Sequence, residues 1–308
     1  MFLVEVTDDD VTVGNGLIAQ QKFQKGALIL EQDPILLCNT RKPFETWDRE
    51  ANIFYDEEAA GTTAILATAY SKLSWEDQGA FRELYTSKTR GTDVEHIVDR
   101  CRYNAFRYRL GTDADATTRM AVYRTISFAN HSCIPNAVVY INKSNSYPRG
   151  QARLVATRDI PSGDEILINY IPEAWQEGRA TRQAKLMLGW GFDCCCEACG
   201  DDDLEPDTSE RTLCRWYDTW QDGIIAARFR IHIAILHELG IRDKALSSAF
   251  LQLRHRHFGV KEYKEAVRAA LSGLLVEQHF YQKVHNDQLL SLYSDCALKD
   301  NSMHPEHQ

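Results

Sequence analysis

At 308 residues the chain is long enough for one large domain or two ordinary ones, and its make-up, 44% hydrophobic and 26% charged, is that of a folded globular protein. A formal charge of −9 and a pI near 5.6 argue against direct binding of DNA or RNA, which draws its affinity from basic stripes. No apolar run approaches the length of a membrane span, and Asp8-Asp9-Asp10 stands where a signal peptide would be basic.

Residues 1–40 read as short strands (Phe2 to Val6, Val11 to Val13, Leu17 to Gln20 and Ala27 to Cys38) punctuated by Gly14, Gly16 and Gly26. Over 43–108 the spacing becomes helical. Ala64, Leu66, Ala67, Tyr70 and Leu73 share one face. Ser74 with Asp77 reads as a capping box for a helix carrying Phe81, Leu84 and Tyr85, and a third helical pattern follows Asp93 through Ile97, Val98 and Cys101. From 122 to 171 the period returns to two, with strands expected at 137–141, 153–156 and 165–170 and a turn at Pro161-Ser162-Gly163-Asp164. Thr181 to Leu188 predicts a short helix. An acidic, turn-rich stretch, 201–207, is the best domain boundary. Beyond it Leu246, Ala249, Phe250 and Leu253 mark one helix, broken at Gly259. Tyr263, Ala266, Val267, Ala270, Leu271, Leu274 and Leu275 mark a second, giving a hairpin like a single tetratricopeptide unit.

Four motifs bear on chemistry. Nine cysteines, four of them within 194–199, suit metal binding in a reducing compartment better than a disulfide framework. Cys194, Cys196 and Cys199, following Phe192, have a spacing that wraps one face of a tetrahedral zinc, with Cys195 between them pointing away. Three thiolates need a fourth ligand from elsewhere. Free buried cysteines are the plain alternative, and the gaps do not match the common iron–sulfur runs. The second motif, Asn130-His131-Ser132-Cys133-x-Pro135-Asn136, precedes a strand. A core histidine and a turn asparagine would account for its first two residues, while Cys133 could be the missing thiolate. The third is the run from Gly163 to Tyr170, an ordinary turn and strand by itself. The fourth, Gly14-Asn15-Gly16, permits a tight turn or close approach to a ligand, but lacks the third glycine of a dinucleotide fingerprint.

In this order the four motifs resemble the SET-domain protein lysine methyltransferases, and in particular the SET-and-MYND (SMYD) group and its fungal-type relatives. The likeness is good over 1–40 and 100–200 and looser beyond. It implies an α+β fold: a β-rich SET domain over 1–172 with a helical insertion at about 43–108, a zinc-bound post-SET segment over 173–200, and an all-α region over 208–300. The family fold also threads its last strand segment through a loop, against the usual absence of knots. The resemblance assigns Gly14, Asn15, Gly16, Asn130, His131 and Phe192 to an S-adenosylmethionine site, with Asn104 as a further contact. It assigns Tyr170 to the methyl-transfer centre, touching the cofactor as well. Cys133, Cys194, Cys196 and Cys199 become ligands of one structural zinc.

Two departures stand out. The span where the MYND finger should lie, 40–100, has no cysteine and only His96, so that module is missing. Relatives often have a second channel tyrosine two residues before the phenylalanine, where this chain has Trp190. The expected activity is methyl transfer to protein lysines, histone or non-histone. The acidic charge suits a basic polypeptide substrate, and protein partners are expected on the C-terminal helices. No membrane association is expected, and residence is nuclear, cytoplasmic or both. A SET fold that has lost activity and serves as a scaffold is the rival reading, favoured by Trp190. A small-molecule methyltransferase of another fold has no glycine-rich strand–helix motif behind it.

Overall fold

The structure is a computed structural model that describes residues 4–7, 15–40, 57–110, 117–142, 150–171, 178–199, 230, 233–234, 236–237 and 244–281. The strand expected at Val11 to Val13, Gly14 and the acidic stretch after the cysteines lie outside the described residues.

Four small sheets make the β-rich body. β1 (Val4–Thr7) pairs antiparallel with β2 (Gly16–Ala19). The run from Ala27 to Cys38 is two strands, β3 (Leu28–Gln32) and β4 (Leu36–Thr40), in different sheets. The break falls at Pro34, which has no N–H to give to a ladder. β4 lies beside β6 (Thr117–Val122), which also pairs with β5 (Phe106–Leu110). β3 lies beside β9 (Ala152–Ala156), which pairs with β8 (Ala137–Ile141). The fourth sheet is one short parallel pair, β7 (Asn130–His131) with β10 (Leu167–Ile168).

Inward-facing residues of these sheets close on one apolar core. Leu17, Ile29, Tyr123, Ile126, Leu154, Ile160 and Ile166 are fully enclosed there. β9 shows the alternation that builds it. Ala152, Leu154 and Ala156 point into the core, while Val155 points the other way, against Val138 and Tyr140.

The helical insertion packs on the β4/β6 sheet. Its helices are α1 (Glu57–Ser71), α2 (Trp75–Glu83) and α3 (Asp93–Asn104), and the last residues of the expected helical span open strand β5. Leu66, Phe81, Leu84, Ile97, Val98 and Cys101 bury themselves against Leu36, Met120 and Val122. Each such side chain contributes about 1.5–3 kcal/mol. The α2 cap is half of what its sequence suggests. Ser74 accepts from the Asp77 N–H, but the Asp77 carboxylate takes the Ser74 hydroxyl, being one methylene shorter than the Glu of a reciprocal box. The full box opens α3, between Thr92 and Glu95.

Past the body come α4 (Arg179–Trp190) and the C-terminal hairpin of α5 (Lys244–Gly259) and α6 (Tyr263–Tyr281). α4 ends on Gly191, whose φ of 81° is a left-handed cap. In the hairpin the left-handed residue is Lys261 (φ 64°) and not Gly259. The Glu262 N–H reaches His257 O and the Lys261 N–H reaches Phe258 O, closing a Schellman turn. Leu246, Ala249, Leu253 and Ala269 form the hairpin's seam, and Val276 of α6 meets Val138, Tyr140 and Val155 on the outer face of β8 and β9. Among the described residues no helix is long and apolar enough to cross a membrane.

Candidate active site and metal centre

The parallel pairing of β7 with β10 sets Asn130 opposite Leu167 and His131 opposite Ile168. Asn136 holds this crossing. Its Oδ1 accepts from the Leu167 N–H at 2.8 Å and its Nδ2 donates to Glu165 O at 2.7 Å, as a strand backbone would. With a side chain on that edge, the expected strand over 165–170 shortens to two residues. The preceding residues bond to β2 instead, where the Ile166 N–H donates to Leu17 O and Glu165 faces Ile18.

That contact explains the glycine turn. Asn130 Nδ2 donates to Glu165 Oε1 at 2.8 Å and to Asn15 O at 3.4 Å. A Cβ on Gly16 would come within 2.7 Å of the same Oε1 and 3.3 Å of the same Nδ2. A side chain at position 16 would therefore push the Glu165 carboxylate off Asn130.

His131 joins two halves of the site. Its Nδ1 accepts from the Tyr170 N–H at 3.0 Å, so the neutral ring carries its proton on Nε2, which faces Cys133 Sγ at 3.5 Å. Tyr170 donates its hydroxyl proton to Ala129 O at 2.9 Å. Burial raises its pKa above the ordinary tyrosine value, and the Glu165 carboxylate raises it further. Around Tyr170 stand the rings of Trp190 (centroids 5.1 Å apart), His131 (5.3 Å) and Phe192 (6.5 Å, edge-on). Trp190, Tyr170 and Phe192 are only partly buried, so this aromatic cluster opens to solvent.

Asn104, the last residue of α3, is buried. Its amide donates to Tyr85 O and Arg100 O, both at 2.8 Å, and its carbonyl accepts from the Ser127 hydroxyl at 3.0 Å. It fastens the insertion to the segment that leads into Asn130.

Cys133, Cys194, Cys196 and Cys199 converge, with their sulfurs all within 4.8 Å of one another. Cys133 and Cys199 are 3.7 Å apart. At a Zn–S distance of 2.3 Å a tetrahedron has edges of about 3.8 Å. The four residues could hold a zinc ion. The Cys194 thiol is driven up by its neighbours Cys133, Cys196 and Cys199, whereas Cys133, Cys194 and Cys199 drive Cys196 down. The Cys199 thiol is pulled down to about 7, by Cys133 and Cys194 first and by Arg182 after them. Four sulfurs this close ionise together only around a cation. Cys195 is exposed, as its position between two ligands predicts. Cys38 and Cys101 are apart from this group, buried among apolar side chains. Burial pushes the Cys38 thiol up to about 11, which makes it inert packing.

Helix α4 supplies two further residues that the sequence reading passed over. Gln183 pairs with Cys194 through Nε2 to Cys194 O (2.6 Å) and the Cys194 N–H to Oε1 (2.7 Å). Arg182 is 1% exposed and donates to the sulfurs of Cys133 and Cys199. Its signal was an arginine one turn before Leu186, on the face of α4 that has to be buried. Glu165 was passed over as well, read only as part of a strand.

From β2 onward, the β-rich body of small sheets, with the parallel crossing that brings Asn130 and His131 to Tyr170, lies in the part of the chain that a known family model covers. The model of that family, described as SET domain, matches residues 14–171, a little over half of the chain, and the chain belongs to the family. Among its relatives is histone-lysine N-methyltransferase SET5 of Meyerozyma guilliermondii, 31% identical over 107 residues, which are 35% of this chain and 21% of that protein. Histone-lysine N-methyltransferase ATXR4 of Arabidopsis thaliana is 30% identical over 158 residues, 45% of this chain and 43% of the relative. Protein-lysine N-methyltransferase SMYD4 of Homo sapiens is 40% identical over 78 residues, 25% of this chain and 9% of the relative. The chain thus matches less than half the length of each of these proteins.

Proposed function

We propose that this chain is an S-adenosylmethionine-dependent protein-lysine methyltransferase, with Tyr170 at the transfer centre. The observation that carries the reading is the state of that tyrosine. Its hydroxyl proton is committed to Ala129 O, its pKa is raised, and it sits among partly exposed aromatic rings. A hydroxyl held in this way keeps its oxygen lone pairs available while staying neutral at physiological pH. It can accept from a substrate amine and orient it, but it is not poised as a general base.

The cofactor, once bound, supplies an electrophilic methyl on a positively charged sulfur. The residues present suit such a molecule. Asn15, beside Gly16, is only partly buried, Asn130 has an amide fixed by Glu165 and Asn15, and the partly exposed Phe192 ring suits stacking on a purine. In this reading Gly14, Asn15, Gly16, Asn130, His131, Tyr170 and Phe192 form the cofactor site. Asn104 contributes from behind by fixing Ser127 and the segment that leads to Asn130. An incoming lysine must shed its proton, because its ordinary pKa is about 10.4. The positive sulfur of a bound cofactor disfavours a second cation beside it, and in-line placement supplies much of the rest. Zinc bound by Cys133, Cys194, Cys196 and Cys199 is structural, since four thiolates leave no open position. Held there, such an ion would tie the segment that carries Phe192 to the body. The substrate class is a protein with a target lysine, met in the nucleus or cytoplasm, and the acidic charge of the chain suits basic segments.

Calorimetric titration of S-adenosylmethionine tests the site. Wild type is expected to bind, and Asn130→Ala to lose tenfold or more in affinity, on the order of 1.4 kcal/mol. Tyr170→Phe is expected to keep cofactor affinity and lose roughly 100-fold in kcat on a lysine substrate, the scale for one missing electrostatic contact. Turnover unchanged in that variant would remove Tyr170 from the centre. One observation favours a catalytically silent scaffold, namely the Trp190 ring packed 5.1 Å from Tyr170, a bulky neighbour without a hydroxyl beside the proposed transfer centre. Folded, zinc-loaded protein that binds no cofactor would establish that second reading and direct attention to the C-terminal hairpin.

A further inference from the structure

The cysteine cluster contains a charged residue that its role as a ligand set does not require. Arg182 lies on α4 with 1% of its surface exposed, among the largest fully enclosed side chains in the molecule. Its Nε donates to Cys133 Sγ at 3.2 Å, and its Nη2 donates to Cys199 Sγ at 3.5 Å and to Ala198 O at 3.4 Å. A guanidinium does not deprotonate in a protein, so a full positive charge stands inside the site.

The two sulfurs it reaches come from opposite ends of the cluster. Cys133 belongs to the body, in the turn between β7 and β8, and Cys199 closes the segment that follows α4. They lie 3.7 Å apart, and the planar fork of an arginine can engage both at once. Four thiolates around a divalent ion leave two negative charges uncompensated, and Arg182 offsets one of them. Its neighbour Gln183 grips the backbone of Cys194 and, among the described residues, makes its hydrogen bonds there and not to a sulfur. Adjacent residues of one helix therefore do two different tasks, one electrostatic and one purely of position.

We propose that Arg182 is a built-in counter-ion of the metal centre, whose forked hydrogen bonds hold Cys133 and Cys199 together and set the affinity and electronic character of the site. The proposal rests on reading the cluster as a metal site. It makes Arg182 a positioning residue that acts through the ligands. Partners of this kind, outside the ligand set, are worth roughly 10–100-fold in metal affinity.

The test uses the full chain, loaded with zinc or with cobalt(II) as an optical reporter. Competition against a chelator measures affinity, and the sulfur-to-cobalt charge-transfer band reports on the sulfurs themselves. N–H donors lower the energy of sulfur lone pairs, so removing them moves that band to longer wavelength. Arg182→Met is expected to lose roughly 10–100-fold in zinc affinity and to show the shift. Gln183→Ala is expected to loosen the segment, seen in its melting, with the band unmoved. Arg182→Lys keeps the charge as a point on a flexible stem, so it should shift the band the same way by less. It carries the test if the methionine variant does not fold. Unchanged affinity and an unmoved band in the Arg182 variants overturn the proposal. So does an affinity loss matched by Gln183→Ala without a band shift, which would make Arg182 mere packing. Wild-type chain that takes up neither ion would overturn the metal reading itself, a result distinct from either of these.

Discussion

The helical insertion and the cysteine segment both attach to the β-rich body, the one on β4 and β6 and the other beside the β7/β10 crossing, and they are held on by different means. The insertion buries a row of aliphatic and aromatic side chains, Leu66, Phe81, Leu84, Ile97 and Val98, against Leu36, Met120 and Val122. Its helices begin on local caps at Ser74 and Thr92. In the cysteine segment, Leu186 is the one aliphatic residue buried with Cys133, Cys194 and Cys199 among the described residues. Partly buried Ile171, Trp190, Phe192 and Ala198 pack around it, and polar contacts do the rest: Arg182, Gln183 and His131 on sulfurs and backbone. Apolar burial needs nothing from outside the chain. Four cysteines that could hold a metal ion are a different case, and they touch the Tyr170 site through His131, whose Nε2 faces Cys133 Sγ while its Nδ1 accepts from the Tyr170 N–H.

The largest expected effect breaks one region and spares the other. Binding of structural zinc by peptides is worth on the order of 10–16 kcal/mol, and here that energy has few apolar contacts to fall back on. Chelation is expected to erase hydrogen-exchange protection over 179–199 and at the Tyr170 amide, while α1, α2 and α3 keep theirs. Protection that survives in 179–199 without metal would mean that the segment is self-supporting. The converse experiment strikes the insertion. Phe81→Ala opens a cavity at a site 1% exposed and is expected to cost about 3–5 kcal/mol in a denaturant titration, with zinc content unchanged. A loss of metal in that variant would show the two regions to be coupled through the body.

The contrast also accounts for what could be read from the sequence. Periodicity and capping are local, so the insertion's three helices and the buried faces of Leu66, Phe81 and Ile97 were legible, as was the hairpin of α5 and α6. Pro34, the residue that divides β3 from β4, was visible too but was read through. The four cysteines were legible because ligand spacing is itself a local signal, with Cys133 the one that had to come from afar. The contacts between Glu165, Gly16 and Asn130 were not legible. They arise only when residues 130–131 and 165–168 cross, and no pattern in either stretch announces it. Arg182 was hidden for a related reason. An arginine in an amphipathic helix reads as solvent-facing until the sulfurs that neutralise it are seen beside it.

A finer test of the insertion's self-sufficiency lies in the cap of α3. Thr92 Oγ1 accepts from the Glu95 N–H, while the Glu95 carboxylate accepts from the Thr92 N–H at 2.7 Å and from its hydroxyl at 2.9 Å. Thr92→Ala is expected to cost about 1 kcal/mol at neutral pH, the usual worth of an N-cap. Those bonds from Thr92, backbone first and side chain second, hold the Glu95 pKa below its ordinary value. The folded state thus favours the ionised form. Its contribution is present above the unfolded pKa of about 4.3 and is lost as pH falls through the lower folded value. The deficit of Thr92→Ala should therefore shrink in acid without vanishing, because the Glu95 N–H still seeks the Thr92 oxygen after the carboxylate is protonated. Amide exchange in the first turn of α3, at pH about 7 and about 3.5, reads this directly. A deficit equal at both values would show that the hydroxyl's bond to the carboxylate adds nothing, leaving the cap to the Thr92 oxygen alone.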